Sequence, residues 1–379
     1  MAPICYDYLM RIAIVHDWFD QIYGGSERVA IHFCKLFPNA EIFTLLYNSE
    51  AYGNDLGNRI IHKSSLQRLP VRLRANHKIL LPLIPKALAR FDFSGYDLVI
   101  SSSPAFSKNI NVPENIPHIT YCHSPMRFAW DYWPEYLHEQ DYGVVQKLLA
   151  KLTIPRIRKW DLEGAMRIKY WLANSETVKQ RIQKYYQIDE DKITVLNPPV
   201  EIAEAPRAIA KRDEYYVTLA TLTPYKRIDL AIKACNVSRR KLIVIGDGPA
   251  RKDLEQMAGD TIRFVGFVSG KEKWELLRRA QGLIFPQVED FGMAPIEALA
   301  VGTPTIAFRQ GGVTETITDG KFGILFDEQT SESIVDAIDR SETSKFNVDK
   351  MREAAQAYST ENFDREFMKY INKITDVKD

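Results

Sequence analysis

The amino-acid sequence predicts an α/β protein built from two doubly wound, parallel-sheet domains. Its 379 residues exceed what one ordinary hydrophobic core organises. Short apolar runs alternate with amphipathic helical patterns, as parallel strands joined by crossover helices require. The alternation then restarts after residue 200. In the first half, strands are expected at Arg11–His16, Glu41–Tyr47, Asp97–Ser101, His118–His123, Tyr170–Asn174 and Lys192–Leu196. Gly24-Gly25 precedes a helix over Ser26–Phe37, where Val29, Ala30, Phe33 and Phe37 recur at helical spacing. The second half offers Tyr215–Thr221, Lys241–Gly246, Arg263–Phe267, Gly282–Pro286 and Pro304–Phe308. Between the halves lie Asn197-Pro198-Pro199-Val200 and the polar stretch Glu201–Glu214, whose prolines and weak periodicity suit an interdomain hinge. The expected domains are 1–198 and 199–360, followed by a helix over 361–379 with Phe363, Phe367, Tyr370 and Ile371 at helical spacing. Ligands of such sheets bind beyond the carboxyl ends of the strands, and between two domains they bind in the cleft.

Composition narrows the class. Hydrophobic residues make up 45% and charged residues 26%, a globular mix and not a disordered or fibrous one. Lys and Arg number 50 against 49 Asp and Glu, so no global basic field marks a nucleic-acid binder. Cys5, Cys34, Cys122 and Cys235 are scattered, with no CxxC pair and no histidine at metal-ligand spacing. That argues against a disulfide framework or a zinc site and fits a reducing, cytoplasmic setting. The N-terminal MAPICYDYLM lacks the basic and apolar regions of a signal peptide, and Met10 is an alternative start. No segment approaches the roughly 20 apolar residues that span a bilayer, so a soluble or peripheral protein is expected.

One local asymmetry stands out. Leu56 to Phe91 contains no Asp or Glu, while Arg59, Lys63, Arg68, Arg72, Arg74, Lys78, Lys86 and Arg90 are interleaved with Leu, Ile and Pro. A second basic, apolar stretch covers 147–169 and includes Arg156, Arg158, Lys159 and Trp160. Both suit a surface on anionic lipid or a phosphate-bearing acceptor. Equally, they suit solvated amphipathic helices whose apolar residues face the core.

The most specific feature runs from Glu289-Asp290-Phe291-Gly292-Met293-Ala294-Pro295-Ile296-Glu297 to Gly302-Thr303-Pro304, after the strand Gly282–Pro286. It reads as a strand end, a glycine-bearing turn and a helix whose first N–H groups are unsatisfied. A carboxylate before that turn can accept hydrogen bonds from sugar hydroxyls. The second carboxylate, eight positions later, lies about two helical turns on, within reach of a ribose diol. Helix N-termini also favour acidic residues for their own sake. The acidic run Asp189-Glu190-Asp191 reads as a polar turn and not as a metal-binding motif.

The E-x7-E spacing within EDFGMAPIEALAVGTPTIA resembles the retaining glycosyltransferases of family four, and the resemblance covers nearly the whole chain. Further stretches resemble the subgroup that transfers mannose from GDP-mannose in O-antigen and exopolysaccharide assembly. They are IVHDWFDQIYGGSERV (14–29), FDFSGYDLVISSS (91–103), YCHSPMRFAWDYWPEY (121–136), LANSETVKQRI (172–182), LTPYKRIDLAI (222–232) and VIGDGP (244–249). The resemblance implies the GT-B fold: two Rossmann-like domains facing across a cleft, the first taking the acceptor and the second the nucleotide sugar, with the C-terminal helix crossing back to the first. It implies that Glu289 binds donor-sugar hydroxyls, helped by the backbone N–H groups of Phe291, Gly292 and Met293, and that Glu297 holds the nucleotide ribose. Lys226 would sit on the donor diphosphate, with Arg227 assisting. Gly24 and Gly25 would let the first strand–helix turn approach phosphate or sugar closely. His123 would contact the donor sugar near the reacting centre. Gly246 and Val265 would line the nucleotide site, and Asn174-Ser175 would line the cleft.

Each of these has a structural alternative: a turn-capping Lys226, a His123 bonded to backbone, a tight turn at Gly24-Gly25, and an N-cap at Ser175. Thr221 also stands where many relatives place an arginine that clamps the diphosphate. A threonine donates one hydrogen bond and no charge, which leaves reduced activity or compensation by Arg227 as the two expectations. The implied reaction is metal-independent, with front-face attack and the diphosphate taking the acceptor proton. The expected partners are a nucleotide sugar, GDP-mannose, and an oligosaccharide or lipid-diphosphate-linked glycan at the cytoplasmic membrane face, with no cofactor. The rivals are a UDP-sugar-dependent transferase of the same fold, a nucleotide-sugar epimerase and an inactive binding protein.

Overall fold

The computed structural model describes residues 10–20, 24–74, 77–131, 144–206 and 211–375. The N-terminal stretch 1–9, the segments 21–23 and 132–136 of two motifs quoted above, 207–210 of the hinge stretch and 376–379 of the last helix lie outside the described residues.

The first sheet is formed by β1 (Ile12–Phe19), β2 (Glu41–Tyr47), β3 (Ile61–Lys63), β4 (Leu98–Ser103), β5 (His118–Cys122), β6 (Tyr170–Ala173) and β7 (Ile193–Val195). They lie in the order β3-β2-β1-β4-β5-β6-β7, and every pairing is parallel. β1 runs three residues beyond the expected His16, pairing Trp18 with Leu46 and Phe19 with Tyr47. The polar Asp17 stays inside the strand because its carboxylate accepts the backbone N–H groups of Phe106 (2.9 Å) and Ser107 (2.6 Å). That satisfies a fully buried acid just past the expected strand end.

The second sheet is formed by β8 (Tyr216–Leu219), β9 (Leu242–Ile245), β10 (Ile262–Gly266), β11 (Leu283–Phe285), β12 (Thr305–Phe308) and β13 (Gly323–Phe326), in the order β10-β9-β8-β11-β12-β13. Side chains alternate between two cores. Val217, Ile245, Leu283, Phe285, Ala307 and Leu325 pack with Trp274 and with helix Met293–Val301. Tyr216, Leu242, Val244, Ile284, Ile306 and Phe326 pack with the helices Ile228–Ser238 and Ser331–Thr343. Burial on both faces is why these strands read as continuous apolar runs. β3 and β13, which sequence reading did not anticipate, each lie at the edge of a sheet, and β3 (IHK) holds a single apolar residue.

The chain divides into two compact units, one of residues 1–196 with 371–379 and one of 197–370. The last helix, Thr360–Thr375, is thereby shared between them, and it buries Phe363, Phe367, Ile371 and Ile374. Within the second unit the start of the expected hinge is anchored: Val200 is fully buried and its N–H donates to Tyr358 O at 2.9 Å.

In the first basic stretch, the short helices Val71–Arg74, His77–Leu80 and Ile84–Leu88 bury Leu80, Ile84, Ala87 and Leu88. The expectation that the apolar residues face the core holds for those and for Leu56 and Leu66, but Ile60, Val71, Leu73, Ile79 and Leu83 are exposed. The second stretch lies on the helix Val144–Ala165, which contains Pro155, buries Ile154 and Ile157 and exposes Leu152. In the acidic run, Asp189 pairs with Lys192 and Glu190 with Lys179, as a polar turn does.

Candidate active site

Each sheet changes winding direction once, between β1 and β4 in the first unit and between β8 and β11 in the second. The strand ends at such switch points are where doubly wound folds bind ligands. In the second unit, the loop after β8 carries Thr221 and Lys226, and the loop after β11 carries Glu289. The structure joins Lys226 Nζ to Glu289 Oε1 in an ion pair with little solvent exposure. Burial works against the Lys226 charge, but the Glu289 carboxylate outweighs it and holds the ammonium above its ordinary range. Glu289 is itself braced, because Gly312 N–H donates to its carbonyl at 2.9 Å.

Beyond Glu289, Phe291 is buried against Tyr358, and Gly292 takes φ +90° to start helix Met293–Val301. That left-handed geometry is why glycine stands at the turn. Glu297, on the same helix, is 3% exposed and accepts from Lys273 Nζ at 2.7 Å. At the end of β9, Gly246 has φ +131°, and a Cβ there would fall 1.8 Å from Ala220 O. Val265 lies half-buried on β10.

Arg227 adopts the left-handed conformation, and its guanidinium bonds Asp229 and Gln329, both at 3.2 Å. Thr221 is half-buried, and its carbonyl accepts Thr223 N–H. Lys226 and Lys273, the two lysines at this strand edge that meet motif carboxylates, thus each balance one of them. In this unit, Lys273 and the bracing Gly312 are residues that sequence reasoning missed. Lys273 carries no signal beyond being one lysine in an amphipathic helix.

In the first unit, His123 follows β5 and its Nε2 lies 2.8 Å from Ser102 Oγ on β4. His16 on β1 donates from Nδ1 to Ser102 O at 2.8 Å, since a carbonyl only accepts. Its Nε2 faces Glu27 Oε1 at 3.8 Å. Glu27 Oε2 in turn accepts Gly24 N–H and Ser26 Oγ–H, both at 3.0 Å. Gly24 is extended and precedes helix Gly25–Leu36, and a Cβ there would fall 2.6 Å from Glu27 Oε2, displacing the end of that side chain. Asn174 Nδ2 donates to His123 O at 3.0 Å, and Ser175 Oγ accepts Val178 N–H, which realises the N-cap alternative for that pair. His16, Glu27 and Ser102 lie inside the quoted motifs, yet nothing in their spacing links them to His123.

Burial, with His16 adding to it, pushes the His123 imidazole down to about 3, and burial beside Arg167 does the same for His118. Both rings are neutral at pH 7. Between pH 6.5 and about 3 the unfolded chain binds protons on these rings that the folded chain does not. Stability therefore rises with pH across that window and levels off above it. Each ring adds at most about 1.4 kcal/mol per pH unit. The Tm is expected to fall on acidification from pH 6.5 toward 4, and His118→Asn to flatten that slope. An unaltered slope in the variant would contradict the assignment.

Comparison with known proteins adds independent findings. A family model described as Glycosyltransferase Family 4 matches residues 23–204, and one described as Glycosyl transferases group 1 matches 200–361. The O-antigen chain mannosyltransferase of Salmonella typhimurium is 29% identical over 206 residues, 49% of this chain and 58% of that protein. A GDP-mannose-dependent α-(1-6)-phosphatidylinositol monomannoside mannosyltransferase of Mycolicibacterium smegmatis is 33% identical over 140 residues, 32% of this chain and 37% of that protein. A D-inositol 3-phosphate glycosyltransferase of Kribbella flavida is 27% identical, covering 48% of this chain and 50% of that one. The matches thus span about half the length of these curated relatives. The HepE protein of Anabaena, solved in complex with UDP, superposes with a TM-score of 0.72 at 14% identity, covering 96% of this chain and all of that one. Sucrose-phosphate synthase of Thermosynechococcus elongatus gives 0.71 at 15%, covering 97% of this chain and all of that one.

Proposed function

Because the chain belongs to the family-four, group 1 glycosyltransferases of GT-B fold, we propose that it is a retaining, metal-independent mannosyltransferase. It moves an α-mannosyl unit from GDP-mannose to a glycan acceptor linked to a lipid diphosphate, at the cytoplasmic face of the membrane. The observation that carries the reading is the Lys226–Glu289 ion pair at the switch point of the second sheet. It sets a cation for the departing diphosphate beside an acceptor for sugar hydroxyls. The mannosyl choice is supported by the names of the two mannosyltransferase relatives.

In the reaction, the bond from the sugar C1 to the diphosphate oxygen breaks through an oxocarbenium-like state. The acceptor oxygen bonds C1 on the same face, and its proton passes to the departing phosphate oxygen. Lys226 offsets the charge that develops there, which is usually the largest catalytic term. Glu289 and Glu297 hold the sugar and ribose hydroxyls. His123, neutral through burial, serves as a hydrogen-bonding group and not as a cation.

Membrane contact is part of the same reading. Among the described residues no helix is long and apolar enough to cross a bilayer. Val71 is 69% and Ile60 60% exposed, amid exposed Arg68, Arg72, Lys86 and Arg90 in a stretch without a single acid. Exposed apolar side chains among cations suit an anionic lipid surface.

The test uses the full chain treated with EDTA, offered GDP-mannose and a panel of UDP-sugars with a lipid-linked glycan extract. Transfer from GDP-mannose is expected, together with salt-sensitive flotation on phosphatidylglycerol vesicles and none on phosphatidylcholine. Turnover of UDP-sugars alone would overturn the mannosyl reading. Donor consumption without an acceptor would point to an epimerase, and no donor binding at all to an inactive protein. Equal flotation on both lipids would remove the membrane part.

A further inference from the structure

Ser102 lies fully buried on β4, paired with His16 of β1 on one side and Tyr121 of β5 on the other. Its carbonyl accepts His16 Nδ1–H at 2.8 Å and Ser107 Oγ–H at 2.9 Å. His123 is held as firmly: its backbone N–H donates to Ser103 O at 3.0 Å, and its carbonyl accepts Asn174 Nδ2–H at 3.0 Å. Between these two fixed residues, Ser102 Oγ stands 2.8 Å from His123 Nε2, and among the described residues that hydroxyl has no other partner. The direction of the hydrogen bond follows from burial. A serine hydroxyl that does not donate its proton leaves a buried donor unsatisfied, at the full cost of its desolvation. The neutral imidazole, which burial enforces on His123, has one N–H and one acceptor nitrogen. With the proton on Nε2, the ring would donate to Oγ and strand the serine O–H. With the proton on Nδ1, Ser102 O–H donates to the Nε2 lone pair and the serine is satisfied.

We propose that Ser102 is a positioning residue that holds His123 as its Nδ1–H tautomer, so that the ring presents a hydrogen-bond donor to a sugar oxygen. The role rests on the proposed contact of His123 with the donor sugar, and Ser102 itself touches no substrate. A donor at Nδ1 meets a sugar hydroxyl through the oxygen lone pair and leaves the hydroxyl proton free to bond elsewhere. It also excludes His123 as a general base at that nitrogen, because a protonated Nδ1 has no lone pair with which to take a proton.

The experiment is nitrogen NMR at pH 7 of the full chain carrying histidine labelled at both ring nitrogens, alone, with GDP and with GDP-mannose. The protein has seven histidines, and the signals of His123 are those lost in His123→Asn. In the wild type, Nδ1 is expected at the shift of a protonated ring nitrogen and Nε2 at that of an unprotonated one that accepts a hydrogen bond. The tautomer preference should be about tenfold, the worth of one satisfied buried donor. GDP-mannose should move Nδ1 where GDP alone does not. Ser102→Ala should draw both nitrogens toward the intermediate shifts of a mixed population and lower transfer about tenfold. Ser102→Thr keeps the hydroxyl and should keep the wild-type shifts and most of the transfer. A merely structural serine would change the Tm and leave nitrogen shifts and transfer alone. A proton on Nε2 in the wild type, or unchanged shifts and transfer in Ser102→Ala, overturns the role of Ser102; if Nδ1 still responds to GDP-mannose, the reading of His123 stands. A protonated Nδ1 that ignores GDP-mannose removes His123 from the sugar site, and the role of Ser102 falls with it.

Discussion

Lys226→Met is expected to lower transfer from the nucleotide sugar by about 10²–10³-fold, the usual result of removing one preorganised partner of a developing anion. In the loop after β8, the Lys226 ammonium reaches Glu289. Thr221 adds a hydroxyl but no charge, and the Arg227 guanidinium bonds Asp229 and Gln329. The departing diphosphate would therefore depend on Lys226 more than in relatives that carry a second clamp. Loss of the lysine also leaves Glu289 in an enclosed setting without its cation, which itself destabilises. The double variant Lys226→Met with Glu289→Gln separates the two effects. Its Tm should recover toward that of the wild type, while its transfer rate should stay at the level of the poorer single variant. Recovery of both together would assign the pair to structure alone.

Glu289→Gln is expected to lower transfer by about 10²-fold through a different route. The amide keeps one acceptor oxygen but replaces the other with donors, so it meets sugar hydroxyls less well. At the same time it releases the Lys226 ammonium, which the carboxylate otherwise holds charged and occupied. Affinity for free GDP should then be unchanged or higher, while the extra affinity contributed by the mannosyl group disappears. A variant that binds GDP-mannose as well as the wild type does, and transfers it as fast, would remove Glu289 from the sugar site. The two variants thus dissociate: one mainly harms the leaving group, the other the sugar.

Much of the fold was legible because parallel strands buried on both faces leave an unmistakable rhythm of apolar runs and helices. The prolines of Asn197-Pro198-Pro199-Val200 mark where the hinge was expected to begin, and there Val200 is buried with its N–H bonded to Tyr358 O. Two kinds of feature were not legible. The edge strands Ile61–Lys63 and Gly323–Phe326 each pair with one neighbour, and Ile61 is the single apolar residue of the first. Polar residues inside strands mislead as well. Asp17 lies just past the expected strand end at His16, but two backbone N–H groups supplied some ninety positions away satisfy it inside β1.

At the candidate site, Glu289 and Glu297 were legible from their spacing around a glycine turn. Their partners were not, because pairing is a property of neighbouring helices and loops and not of spacing. Lys273 lies twenty-four positions before Glu297 and meets it only through helix packing. Gly24 illustrates the converse. Sequence suggests a tight turn or a close approach to phosphate or sugar, and the structure shows extended backbone at Gly24 whose N–H donates to Glu27 Oε2. The basic stretch 56–91 lies between these cases: its charge was readable at once, but its short helices, two of them with Pro82 or Pro85 in the first turn, are too brief to show which apolar residues stay exposed.

The central claim is that the loops after β8 and β11 form a metal-independent site for a mannosyl nucleotide. It is tested most directly by titrating GDP-mannose and GDP, in EDTA, into the wild-type chain and into Glu289→Gln. The account predicts that the wild type binds GDP-mannose more tightly than GDP, and that Glu289→Gln binds the two equally while retaining GDP. Failure of the wild type to bind either ligand in EDTA, or an undiminished preference for GDP-mannose in the variant, would contradict it.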